Sequence, residues 1–183
     1  MTTLREDPLL GIARAVLTFL MGLTIFVGAA IAIVVPVVVL NQDRVLAEFS
    51  PSPSTMAGSD VIGAGGDVIG AILAVLVLVA GIVALSFLFM RHLRRIVDSV
   101  RQGDPFIPEN AMRLRSMAWL SIVLQVVALF AGTVTMWLEV ATKNLKANYD
   151  ISIGGILLPL VLFILARVFR RGAEMREELE GTV

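Results

Sequence analysis

The chain contains no cysteine in its 183 residues, one histidine, one tyrosine, and only 16% charged residues. Without cysteine there are no disulfides, no thiolate metal sites and no cysteine nucleophile. A single histidine, His92, cannot build a histidine metal cluster. Lysine and arginine number 15, as do aspartate and glutamate, so the formal net charge is zero. That balance leaves no broad basic footprint for direct nucleic-acid binding. No phosphate-binding glycine loop and no nucleophile–base set is recognisable, so no cofactor is expected and the chain reads as a non-enzyme.

What the chain has in excess is apolar side chains. They make up 57% of it, where soluble domains run at about 45–50% apolar and about 25% charged. Four long apolar runs lie at approximately 15–40, 68–90, 116–138 and 151–169. About 20 such residues cross the roughly 30 Å of hydrocarbon in a bilayer. The expected fold is therefore all-α: a polytopic integral membrane protein forming a single domain over residues 1–183, with four transmembrane helices in a bundle. A signal peptide competes for the first run. That run is too long for a signal core, however, and no small-residue cleavage site follows it. Pro36 is expected to bend or unwind its outer end.

Cation placement sets the expected orientation. Twelve arginines fall in the N-terminal segment, the middle loop 91–115 and the C-terminal segment, against three cations in the other two loops. The positive-inside rule then puts both termini and the middle loop in the cytoplasm. Trp119 and Trp137, 18 residues apart, span about 27 Å along a helix and suit the two interfaces of the third run. Small residues four apart, such as Gly28 with Ala32 and Ala128 with Gly132, allow close helix contact.

No Asp, Glu, Lys or His sits near the middle of any run. Ionisable groups at that depth are costly and mark ion or proton pathways. Their absence disfavours a proton-coupled transporter and an intramembrane protease. Gln125 is the one clearly polar side chain near a midplane, suited to a helix–helix hydrogen bond. A small oligomeric transporter or permeability factor built on a homo-oligomer is the alternative function.

The chemistry concentrates at the cytoplasmic face. Leu93, Ile96, Val97 and Val100 form one helical stripe that suits a membrane surface, a partner helix, or plain solvated extension. His92, among several arginines, reads as an interfacial histidine. Gly103 fits the left-handed residue that ends a helix. Asp104-Pro105 and Ile107-Pro108 impose a short extended turn. Pro108 then suits a first helical position, with Glu109 in the first turn. The segment 103–110 is thus a rigid elbow, in which Phe106 is exposed unless it packs on lipid or protein. In the tail, Arg170 and Glu174 can pair. Glu174, Glu177, Glu178 and Glu180 make the tail acidic, and an acidic tail is expected to dock on the basic loop. The first loop, with Pro51, Pro53 and several glycines, reads as a flexible connector.

Gly103-Asp104-Pro105-Phe106, Glu109-Asn110, Arg113-Leu114-Arg115 and Trp119, with Phe169-Arg170-Arg171-Gly172-Ala173-Glu174-Met175-Arg176 and the terminal Glu180-Gly181-Thr182-Val183, resemble a family of small bacterial membrane proteins, number 2975 of the domains of unknown function. Arg167 departs from the pattern, which has an acidic or small residue there. The resemblance implies a four-helix protein without assigned biochemistry, often encoded beside a small helix-turn-helix regulator. Besides the lipid bilayer, such a regulator is the expected partner. The candidate docking residues are Asp104, Pro105, Phe106, Pro108, Glu109, Asn110, Arg113, Glu174, Glu177 and Glu178. An enzyme of lipid or envelope chemistry would have to use Asp104 and Glu109, the carboxylates in this rigid setting, but turn and helix-start roles explain both.

Overall fold

The structure, a computed structural model, describes residues 8–49, 61–142 and 153–180. Five helices follow in order: α1 (Pro8–Leu40), α2 (Gln42–Phe49), α3 (Val61–Arg101), α4 (Pro108–Thr142) and α5 (Ile153–Glu180). Among the described residues, only Asn41 and residues 102–107 lie outside a helix, and there is no strand. At 1.5 Å per residue, the 41 residues of α3 and the 35 of α4 extend about 60 and 50 Å. Both therefore reach well past a hydrocarbon layer of about 30 Å.

Among the described residues, three helices, not four, are long and apolar enough to cross a membrane: Leu9–Leu40, Val68–Arg101 and Pro108–Leu138. The fourth expected run, 151–169, lies in α5. There the described apolar stretch is cut short by Arg167, Arg170 and Arg171, and its first two residues are outside the described set. Helix α1 buries only Leu17 among its described residues. Leu9, Phe19 and Phe26 are each more than 70% exposed. Water would penalise so much bare apolar surface, whereas lipid would not.

Two local expectations change. Pro36 lies inside α1, which continues to Leu40, so of the two expected effects, a bend or an unwinding, the unwinding does not occur. Neighbouring groups in a membrane helix can absorb the lost hydrogen bond. The first loop is also shorter than its composition implies, because α2 occupies 42–49 and α3 begins at Val61. Asp43 stands in the first turn of α2, where a negative charge complements the helix dipole. Just before it, the Asn41 carbonyl accepts from the Arg44 and Val45 amides. The proline- and glycine-bearing residues 50–60 lie outside the described residues.

The chain forms two compact units. One comprises Phe26–Val83 and Val126–Asp150. Within it, Gly28 of α1 faces a Val83 methyl and Gly81 of α3 faces Val127, both at ordinary contact distance. The other comprises Met1–Ile25, Ala84–Gln125 and Ile151–Val183. Its core is Ile96 of α3, Leu114, Met117 and Ala118 of α4, and Leu162 and Ala166 of α5, with Phe89, Leu93, Val100, Phe163 and Phe169 packed against it. The stripe of Leu93, Ile96 and Val100 therefore covers neither a membrane surface nor a partner helix. It seals against α4 and α5, because those helices present a matching apolar face.

Candidate functional site

All the candidate residues fall in this second unit, and the geometry starts at the end of α3. Gly103 has φ of 90°, which an L side chain adopts only under strain. The Gly103 amide donates to the Val100 carbonyl and the Asp104 amide to the Ser99 carbonyl. This double bond pattern satisfies carbonyls at a helix end that turns sharply out of its axis. Four extended residues later, α4 starts at Pro108 as its fixed φ favours, with Glu109 in the first turn. The "loop" 91–115 is thus mostly helix, with only residues 102–107 non-helical.

Asn110 ties the elbow together. It is completely buried, and its amide nitrogen donates to Ser99 Oγ at 2.6 Å and to the Pro105 carbonyl at 2.9 Å. Its Oδ1 accepts from Arg113 Nη1 at 2.8 Å. Ser99 Oγ in turn donates to the Ile96 carbonyl at 2.8 Å, and Arg113 also reaches the Arg95 carbonyl at 3.4 Å. One side chain thereby joins the end of α3, the turn and the start of α4. Because it is buried and fully engaged, Asn110 presents nothing to a docking partner and is a structural residue. The sequence carried a signal for this: Asn110, Leu114, Met117, Ala118 and Ser121 recur on one helical face, and all five are buried.

Helix α5 closes over the turn. Phe106 lies against Phe169 with ring centroids 5.2 Å apart. Its edge approaches Gly172 so closely that a Cβ there would fall 2.6 Å from Phe106 Cδ1. Phe106 therefore packs on protein, although it stays 42% exposed. Arg176 Nη1 reaches Asp104 Oδ1 at 2.5 Å. Tail and elbow do meet, but with the opposite polarity to the expected one: a tail arginine meets an elbow carboxylate. Glu174 instead pairs with Arg170 on its own helix at 3.7 Å. Glu177 and Glu178 are exposed, as are Glu109 and Pro108. From the other side, Arg14 of α1 reaches Asp98 of α3 at 3.5 Å.

Deeper in the same unit, Trp119 meets the Phe163 ring edge-on at 5.8 Å. The Gln125 amide lies against Gly155, where any side chain would collide with it. The residues that sequence reasoning left out as contacts, namely Ser99, Phe169, Gly172 and Arg176, belong to distant turns of the chain. Three of them stand in the terminal motif that carried the family resemblance. The central and terminal motifs are thus two halves of one packed structure.

The sequence profile of the family described as a protein of unknown function, DUF2975, matches residues 54–183, so the chain belongs to that family. No curated protein and no solved structure matches it.

Proposed function

We propose that this member of the family is a non-enzymatic multi-pass protein of the bacterial inner membrane whose sealed elbow and tail form a cytoplasmic docking platform, an anchor or signalling partner for a small helix-turn-helix regulator. The observation that carries the reading is the closure of the elbow. Asn110, the Phe106–Phe169 contact and the Asp104–Arg176 pair hold two separate segments in one fixed arrangement. That arrangement leaves Glu109, Glu177 and Met175 exposed on its surface. A fixed charged surface loses little freedom on binding.

The same contacts support an even number of crossings. Arg14 near the start of α1 and Arg176 near the end of α5 both pair with the α3–elbow region, which supports a reading in which α1 begins and α5 ends on one side. On this reading α5 completes a fourth crossing despite its shorter apolar stretch, with Arg167 snorkelling to the interface, and the arginine-rich side is cytoplasmic. The docking residues are Glu109, Glu174, Glu177 and Glu178, held in place by Asp104, Pro105, Phe106, Pro108 and Arg113.

Charge reversal at exposed positions tests docking without opening the seal. Regulator co-purifying in mild detergent with the wild-type chain should be lost with Glu109→Lys/Glu177→Lys. Equal recovery with both chains, or recovery with neither, refutes the platform. For topology, the cysteine-free chain is a natural background. A cysteine placed at Ser54 should react with an impermeant maleimide in whole spheroplasts, and one at Thr182 only after lysis.

A further inference from the structure

Helices α4 and α5 run antiparallel in the sealed unit: Asp104 meets Arg176, Trp119 meets Phe163 and Gln125 meets Gly155. Between the first turns of α4 and the middle of α5 lies an open groove of about 510 Å³. Met112, Phe163 and Ala166 supply its apolar wall, and Arg115, Arg167 and Arg170 line it as well. Each helix contributes these residues at i, i+3, i+4 spacing, so the two faces were built to oppose one another.

Two observations define what belongs there. The first concerns charge. Arg170 has a loose partner in Glu174, while among the described residues Arg115 and Arg167 make no ion pair. Both guanidiniums are exposed at the mouth of the groove, open to an anion beside an apolar wall. The second concerns depth. Arg115 is the last charged residue of α4 before Glu139, and Arg167 the first after Asp150. Both arginines therefore stand where the charge-free stretch of each helix begins. On one side of them the lateral surface is Leu160, Val161 and Ile164, all more than half exposed; on the other it is the elbow. That is the level of a lipid phosphate. Planar guanidiniums bind phosphate oxygens in bidentate fashion, and basic recesses between helices on the cytoplasmic side suit anionic head groups.

We propose that this groove is a binding site for an anionic phospholipid. The phosphate lies between Arg115 and Arg167, Arg170 flanks the head group, and an acyl chain runs past Phe163 onto the exposed face of α5. This site rests on the membrane reading above but not on the regulator. A bilayer lipid, rather than free phosphate, is the occupant because the wall that continues the groove is apolar and faces the hydrocarbon.

The test uses the full-length chain. Alkaline extraction of membranes comes first: release without detergent overturns the membrane reading itself, and retention leaves the lipid site to be judged separately. Retained protein, purified in a nonionic detergent, is then titrated by native mass spectrometry with phosphatidylglycerol, cardiolipin, phosphatidylcholine and inorganic phosphate. Anionic lipid should bind at least tenfold more tightly than phosphatidylcholine, and phosphate alone should not compete. Arg115→Gln/Arg167→Gln should lower anionic-lipid binding about a hundredfold, at about tenfold for each lost charge-assisted contact. Arg115→Lys/Arg167→Lys should recover only part of it. The control Arg101→Gln/Arg171→Gln, outside the groove, should bind like wild type, and matching circular dichroism shows which variants are folded. If the double glutamine chain is misfolded, the lysine pair alone decides, since it keeps the charge and removes only the fork. Equal binding of all lipids, displacement by phosphate, or equal loss in the control pair overturns the site. So does loss of regulator with unchanged lipid binding, which would assign the groove to an acidic segment of a protein partner.

Discussion

Removing the Asn110 amide should open the elbow at a cost that can be worked out from its contacts. Asn110→Ala deletes two donated bonds, to Ser99 Oγ and the Pro105 carbonyl, and one accepted from Arg113. A neutral bond contributes about 1 kcal/mol net, and one to a charged group about 1.5–3 kcal/mol. Ser99 and Arg113 keep other partners, the Ile96 and Arg95 carbonyls, which softens the loss. The Pro105 carbonyl forfeits its bond, and a small cavity is left where the site was fully buried. The expected destabilisation is about 3 kcal/mol. It should be read from denaturant titrations in mixed micelles, followed by helix circular dichroism and by tryptophan fluorescence. Ser99→Ala alone should cost about 1 kcal/mol, and the double variant should show a coupling of about 1 kcal/mol. Asn110→Asp has nearly the same volume but turns an oxygen toward the Pro105 carbonyl, so it should be no milder than alanine. A loss under 1 kcal/mol for Asn110→Ala, with no coupling to Ser99, would refute the view that this side chain holds the elbow.

Three further outcomes follow from the same packing. Gly172→Ala should displace the Phe106 ring, whose Cδ1 stands 2.6 Å from the new methyl position, and cost about 1–3 kcal/mol. Limited proteolysis should then cut the tail sooner, and Phe106→Ala in the same chain should remove the Gly172→Ala effect. Gly155→Ala should likewise push out the Gln125 amide and lower the thermal midpoint, with Gln125→Ala restoring most of the loss; no rescue would show that the clash lies elsewhere. The Asp104–Arg176 pair has side chains 51% and 46% exposed, so its double-mutant coupling should stay below about 1 kcal/mol and shrink as salt rises.

The sequence made some parts of this structure plain and concealed others for physical reasons. Hydropathy revealed where helices are apolar, and the local signals at Gly103 and Pro108 placed a helix end and a helix start correctly, because a left-handed residue and a fixed φ act within a few residues. Asn110 reads as a candidate docking residue, which would need it accessible. Composition makes asparagine polar and hence exposed, whereas its helical face puts it in line with Leu114 and Met117. The partners of Phe106 could not be read at all. Phe169 and Gly172 lie more than sixty residues away, and no periodicity connects positions on different helices. The tail–elbow ion pair has the opposite sense to the expected one for a related reason: net charge describes a segment, but an ion pair is decided by individual side chains, and here Arg176 reaches Asp104. Counting apolar runs likewise overlooked how strongly Arg167 and Arg170 shorten the last one.

The elbow also has an order of completion during synthesis. Asn110 finds Ser99 and Pro105 only 11 and 5 residues back, so that lock can close as soon as the start of α4 has left the ribosome. The Asp104–Arg176 contact spans 72 residues. At about 5–20 residues per second, Arg176 is made about 3–13 s after Asn110. Until then Phe106 has no ring to lie against. A chain that stops short of α5 therefore displays a phenylalanine without the Phe169 ring and Asp104 without Arg176.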